Sequence, residues 1–233
     1  MEALNHFLSA LPQEDLERLR PHLEELALER DAVLGEAGRP VTTVFLPIDC
    51  ILSVVTVMQD GSQVESRTIG REGGYGLLHS LGSRHAYERM TVQVSGRCWW
   101  LPVKALEEAA MERPSLVQHI VRHAQGTLLQ SSLATACNAL HPADQRLCRW
   151  LLMTQDRLGS DLIPLTQEHL AIMLGVQRTT VSAHAAHLKS RGMIRYARGK
   201  IRIQDRDALE RCACECYSAM RRGVRAVIGS GKA

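Results

Sequence analysis

Residues 165 to 203, LTQEHLAIMLGVQRTTVSAHAAHLKSRGMIRYARGKIRI, change periodicity twice in quick succession, and no other stretch constrains the chain as tightly. Leu170, Ala171 and Leu174 form one apolar stripe at helical spacing. Thr166, ahead of them, offers a hydroxyl to an orphan backbone N–H, and Gln167 and Glu168 occupy the first turn, where the helix dipole favours an acceptor or an anion. Gly175 follows directly, and a glycine there permits the left-handed conformation that breaks one helix and lets another begin within three residues. Val176 can plug the corner. From Gln177 or Arg178 a second helix keeps Val181, Ala185 and Leu188 on its buried side and leaves Arg178, Thr179 and Ser182 exposed at its N-terminal end. After Gly192, Met193 and Ile194 continue the core. Arg195, Tyr196 and Arg198 then lead through Gly199 into Lys200, Ile201, Arg202 and Ile203, an alternation that predicts a two-stranded hairpin with one basic face.

A helix, a tight turn, a second helix and a basic wing together make a shape that docks on a DNA duplex. The N-terminal residues of the second helix reach base edges in the major groove, where a planar guanidinium suits guanine O6 and N7. Arg178 is expected to read a base and Thr179 and Ser182 to tune it. Thr166, Gln177 and Thr180 belong to the same DNA-facing set, and Arg195, Arg198, Lys200 and Arg202 are expected to grip phosphate. The blander alternative, a helical hairpin followed by a small ribbon, does not call for the corner glycine, the exposed Arg, Thr and Ser and the basic wing all at once. Charge points the same way: residues 141 to 233 hold 16 Lys and Arg against 8 Asp and Glu, whereas residues 1 to 140 hold 12 against 17. A basic C-terminal region joined to an acidic N-terminal one is the footprint of a phosphate-binding domain carrying a separate partner domain.

With 233 residues and 45% hydrophobic content, the chain has room for two compact domains, each with a core. The longest apolar stretches fall far short of the roughly eighteen residues a spanning helix requires. Met1 to Ala10 lacks the basic start and apolar run of a signal peptide, so a cytoplasmic protein without membrane contact is expected. Seven cysteines, an odd number, argue for reduced thiols over a disulfide framework. The N-terminal region begins with a helical stretch near Glu14 to Leu23. Short runs rich in Val, Ile and Thr follow at Val41–Leu46, Ile51–Met58, Gln63–Ile69, Met90–Val94 and Cys98–Leu101, and predict a small β-sandwich or barrel. Pro102 ends the sheet. Pro114 to Asn138 reads as one long helix with Val117, Val121, Ala124, Leu128, Ser131 and Thr135 in a narrow seam. That seam and Gly126 favour a second identical helix, hence a homodimer, over one-sided packing on the β domain. Asn138 to Asp144, with Pro142, is the natural hinge, and Arg146 to Leu158 supplies the next helix, with Leu147, Trp150, Leu151 and Met153 for its core.

This order of parts resembles the cyclic-AMP receptor protein and fumarate-nitrate regulator (Crp/Fnr) family of bacterial transcription regulators over nearly the whole chain. The likeness is most specific from Leu165 to Ile203, where the family's recognition pattern Arg-Glu-Thr-Val-x-Arg meets Arg178-Thr179-Thr180-Val181-Ser182-Ala183. Arg178, Thr180 and Val181 agree, while Thr179 and Ala183 replace a glutamate and an arginine, so the operator of the best-known members does not carry over. The resemblance implies an α+β fold. Its parts are a cyclic-nucleotide-binding-like β-roll over residues 1–113, a dimerisation helix and hinge over 114–140, and a winged helix-turn-helix domain over 141–233. It implies a homodimer on double-stranded DNA with a palindromic operator, no enzymatic activity, and RNA polymerase and an unidentified small-molecule effector as further partners. The ending Glu215-Cys216-Tyr217 is similar to that of a subgroup without an assigned effector.

The family's phosphate-binding cassette is expected within Gly70 to Thr91, where this chain departs from it. The candidate effector residues are Glu72, Gly73, Gly74, Tyr75, Arg84, His85 and Ala86. If Gly74 matches the family glycine, Tyr75 replaces the carboxylate that accepts from ribose; if Glu72 is used instead, its spacing to Arg84 is long. A regulator that does not work through conventional cyclic-AMP binding is therefore expected, with a cyclic-nucleotide-responsive one as the alternative.

No metal or cofactor is expected. Only Cys50 and Cys98 precede the long helix, short of the four thiolates an iron–sulfur cluster requires. On a continuous helix Cys212 and Cys216 share a core stripe with Leu209, Ala213, Tyr217 and Met220, leaving Cys214 turned away. His119 and His123 stand at a zinc-chelating spacing but have no Asp, Glu or Cys companion, and so read as solvated or dimer-contact residues. No Walker loop, HExxH, GxSxG or paired carboxylates support an enzyme. A scaffold that uses its winged helix for protein contact is the remaining rival, and the density of Arg on that surface argues against it.

Overall fold

The computed structural model describes residues 4–197 and 199–228. At the N-terminus, α1 (His6–Ser9) and α2 (Gln13–Leu19) lead through a single 3-10 turn at Arg20–His22 into the first strands. Asn5 caps α1 with its side-chain oxygen, while its amide donates to the carbonyls of Pro47 at 2.8 Å and Gly73 at 2.9 Å. One buried side chain thus ties the chain start to the glycine-rich turn. Strands β1 (Glu24–Leu28), β2 (Val33–Gly35), β3 (Thr43–Pro47), β4 (Ile51–Val57), β5 (Gln63–Ile69), β6 (Arg89–Val94) and β7 (Gly96–Pro102) form two sheets, ordered β1-β7-β3 and β2-β6-β4-β5. Their inner faces meet in a core that includes Val44, Leu46, Leu52, Val54, Met90, Val92 and Leu101.

The five Val- and Ile-rich runs become strands within a residue or two of their expected bounds, and two further strands appear. Glu24–Leu28, rich in helix formers, is drawn into the sheet by pairing along β7, from Glu24 opposite Trp100 to Leu28 opposite Gly96. Tertiary pairing overrides local propensity there. β2 is a three-residue edge strand across a bulge from β6.

Pro102 ends β7 and caps α3 (Val103–Glu112), and α4 (Pro114–Leu140) follows. The first turns of α4 bury Leu116 and Ile120 in the β core, while Val121 and Leu128 remain 43% and 68% exposed. Gly126 is buried within the chain and lines a small cavity with Thr68 and Gly73. His119 and His123 correct the sequence reading. Both are buried against the Phe7 ring, His119 tilted at 4.8 Å and His123 edge-on at 5.7 Å, and neither is solvated.

His141 and Pro142 break the chain before α5 (Ala143–Leu158). There follow β8 (Leu162–Ile163), α6 (Gln167–Leu174), α7 (Arg178–Ser190), β9 (Ile194–Ala197), β10 (Lys200–Ile203), α8 (Arg206–Cys212) and α9 (Cys216–Ile228). Leu147, Trp150, Leu151, Leu170, Val181, Leu188, Ile194 and Ile201 share a second core. The expected two-stranded wing gains a third strand, in the order β8-β10-β9, because Ile163 pairs opposite Ile201. The continuous helix expected through the three C-terminal cysteines is overturned as well. α8 stops at Cys212, Ala213 is extended, and Cys214 points inward and is buried together with Cys216.

β5 is the edge of its sheet, and the C-terminal domain covers it. The Trp150 indole donates to Glu65, and Arg157 reaches Glu72 at 2.7 Å, the Thr68 hydroxyl, and the Thr68 carbonyl at 3.2 Å. Gln93 meets the Met173 sulfur, and His169 meets Asp31 at 2.9 Å. No helix among the described residues is long and apolar enough to cross a membrane.

Candidate nucleic-acid interface

The geometry of the α6–α7 corner follows from three residues. Thr166 caps α6 by accepting from the His169 N–H; Gly175 ends it at φ 60°, ψ 40°, in the left-handed region that glycine enters without penalty; Gln177 opens α7 in extended conformation. Val181, Ala185 and Leu188 anchor one side of α7, so its N-terminal turn carries Arg178 and Thr179 out to solvent with Gln177 beside them, and Thr180 half-buried. Ser182 is half-buried and hydrogen-bonded within the domain. Its hydroxyl donates to the Gln167 side-chain oxygen at 2.7 Å, pinning α7 against α6, and lies 3.0 Å from the Arg178 carbonyl.

On the wing, Arg195, Lys200 and Arg202 are all exposed, while Ile194, Ile201 and Ile203 are buried beneath them. Arg202 lies directly opposite Arg195 in the β9–β10 register, so strand alternation puts these guanidinium groups on one face with Lys200 two residues along. Gly199, at φ 69°, makes the wing turn and lies near Thr166, which brings the wing tip to the start of α6. Arg198 lies outside the described residues. The arrangement offers an exposed guanidinium at a helix N-terminus for groove contact and a basic ribbon for backbone phosphate.

The effector residues read from sequence do not converge. Glu72 turns to Arg157 of α5; burial, the largest single effect, would raise its pKa, but the Arg157 charge together with hydrogen bonds from that guanidinium and from the Gly70 and Glu72 backbone holds it below the usual carboxylate range. Arg84 pairs with Glu107 on α3, His85 is exposed, and Ala86 is buried. Gly73 and Gly74 pack under α4: the Gly74 N–H donates to His123 Nε2 at 3.2 Å, and a Cβ on Gly73 would come within 2.2 Å of the same nitrogen. Burial, then the neighbouring His119, lowers the His123 pKa to about 4, so its ring is neutral and accepts.

Of the candidate set only Gly74 and Tyr75 line the adjoining cavity of about 430 Å³, between the roll and α4. Arg67, His79, Ser83, Tyr87, Glu88, His123 and Thr127 line it too, and Arg67 is paired with Glu88 at 2.8 Å. These residues come from distant segments without a shared pattern, so only the resemblance pointed toward the place.

Residues 145–212 match the family of Crp-like helix-turn-helix domains. They form a Crp-like helix-turn-helix domain. Solved structures share the fold of the larger part of the chain. FixK2 from Bradyrhizobium japonicum is 16% identical, with a TM-score of 0.70 over 82% of this chain and 98% of that one. TTHB099, a CRP-family transcriptional regulator from Thermus thermophilus, is 20% identical, with a TM-score of 0.65 over 82% and 96%. The c-di-GMP responsive global regulator CLP of Xanthomonas campestris is 13% identical, with a TM-score of 0.67 over 82% and 99%. No curated protein matches the sequence. The α+β reading, a β-roll followed by a long helix and a winged helix-turn-helix, therefore holds, and the Crp-like domain contains every candidate DNA-facing residue named above.

Proposed function

We propose that the chain is a sequence-specific DNA-binding transcription regulator and no enzyme, and that it acts as a homodimer on a palindromic operator. The observation that carries this reading is the exposed N-terminal turn of α7, with Arg178 and Thr179 free, beside the three-cation face of the wing. Arg178 reads a base, while Arg195, Lys200 and Arg202 grip phosphate. Val121 and Leu128, left exposed on α4, support pairing with a second α4, which sets two recognition helices in successive major grooves about 34–36 Å apart. In this reading residues 1–113 sense, 114–140 dimerise and 141–233 bind DNA, and an activator would in addition touch RNA polymerase.

The sensor does not work through conventional cyclic-AMP binding. Arg84 and Glu72, the groups that would meet phosphate and ribose, are each held by an opposite charge outside the cavity, and Arg67 inside it is neutralised by Glu88. The cavity suits another small-molecule effector. Selection of binding sites from a random duplex pool, with and without cyclic AMP, tests both halves of the proposal. A palindromic motif in both arms is expected. Enrichment only with cyclic AMP would overturn the effector reading, and no motif in either arm would count against DNA reading itself.

A further inference from the structure

Four of the seven cysteines are placed by the two large cores or lie beside them: Cys50 and Cys98 in the β core, Cys148 in the C-terminal core, and Cys212 half-buried against the latter. The remaining three, Cys137, Cys214 and Cys216, form a separate buried cluster of their own. Thiols acting as small apolar fillers have no reason to gather away from both cores. His141 joins them, and the three sulfurs and one ring nitrogen lie within 4.8 Å of one another.

We propose that Cys137, His141, Cys214 and Cys216 are the four ligands of a zinc-class divalent cation, which clamps the end of α4 to the segment joining α8 and α9. A tetrahedral site with metal–sulfur bonds of about 2.3 Å and metal–nitrogen bonds of about 2.0–2.1 Å has edges of roughly 3.4–3.8 Å. The Cys137–Cys214 sulfur separation is 3.5 Å, and Cys216 Sγ lies 3.6 Å from His141 Nδ1. The far nitrogen, Nε2, faces the Glu215 carboxylate at 3.2 Å. That partner holds the ring proton on Nε2 and leaves Nδ1 free to bind metal, the outer-sphere arrangement that accompanies histidine ligands. Three sulfurs and an imidazole favour zinc over magnesium or calcium. Binding forms three metal–sulfur bonds and one metal–nitrogen bond, displaces water from the hydrated cation and releases the thiol protons of Cys137, Cys214 and Cys216 to solvent. Because His141 sits in the break between α4 and α5, a loaded site fixes the angle at which the C-terminal domain leaves the long helix.

The test titrates the reduced, chelator-stripped full-length protein with cobalt(II) alone, anaerobically. The expected result is one cobalt per chain with the intense visible absorption of tetrahedral thiolate coordination, displaced by zinc. Cys214→Ser and His141→Ala should each abolish that spectrum, whereas Cys212→Ser keeps it. Glu215→Gln, which removes no ligand, should lower cobalt affinity about 10–100-fold. Absence of the tetrahedral spectrum in the wild type would overturn the proposal whatever the variants do. So would a spectrum that survives Cys214→Ser, or a protein that forms a Cys137–Cys214 disulfide in air yet binds no cobalt when reduced.

Discussion

The recognition helix and the glycine cassette both hang on glycine turns, yet their polar side chains meet opposite fates. Around Gly175 the fold is complete without Arg178 and Thr179, which stand in solvent and are free for a partner. Around Gly70 to Gly76 nearly every polar group is already spent on a distant element. Asn5 donates to the Gly73 carbonyl, His123 accepts from Gly74, and Glu72 grips Arg157. The contrast separates a surface waiting for a ligand from one that has become structure. Substitutions should therefore change DNA preference at the first and stability at the second.

The largest expected effect is on the cassette side. Glu72→Gln leaves the buried Arg157 guanidinium without its counter-charge and should lower unfolding stability by about 3–4 kcal/mol in denaturant titration. A change under about 1 kcal/mol would mean that the contact is dispensable. Glu65, on the same interface, is the control: burial raises its pKa despite hydrogen bonds from Ser53 and Trp150, so Glu65→Gln should cost little or even stabilise at neutral pH. The two carboxylates also have opposite pH signatures. The stability contributed by Glu72 is present above the ordinary carboxylate range and lost as pH falls through its depressed pKa, whereas that of Glu65 is lost as pH rises through its raised one.

His123 comes next. Its folded-state pKa of about 4 lies below the ordinary 6.5, so the unfolded chain takes up the proton first and stability declines as pH falls from 6.5 toward 4. The decline should amount to about 2–3 kcal/mol. His123→Gln keeps an acceptor for the Gly74 N–H and should flatten that limb; an unchanged limb would place the titration elsewhere. On the DNA side, Arg178→Ala should cost roughly 1–3 kcal/mol on a specific site with no change in melting temperature. Equal losses on specific and random duplexes would defeat its assignment to a base. Smallest is Lys200→Ala, which should weaken all DNA alike and reduce the salt slope by about one.

The same contrast explains what could be read from sequence. Thr166, Gly175, Gly199 and the Ile201–Ile203 alternation are local signals, each resolved within a few residues, and the corner and wing follow from them. β1 could not be read, because Glu24 and Glu25 are helix formers until β7 pairs with them. Ser182 reads as a free hydroxyl until α6 places Gln167 against it. Glu72 looks like a ligand group until α5 brings Arg157 across the domain boundary. The cysteine cluster was hidden for the same reason. Its two halves, a Cys-x3-His and a Cys-x-Cys, are separated by the 72 residues between His141 and Cys214, and only the break at Ala213 turns Cys214 toward the first half.

The facing arginines of the wing carry one further consequence. Like charges directly opposite across an antiparallel pair weaken it by roughly 0.2–1 kcal/mol, so the β9–β10 pairing is loosened by its own charge when the protein is alone. In the proposed reading, a phosphate lodged between Arg195 and Arg202 would turn that repulsion into a shared grip, and DNA would knit together the ribbon that holds it. Salt should consequently pull in two directions at once, quieting the ribbon of the free protein while prising the same ribbon off the duplex.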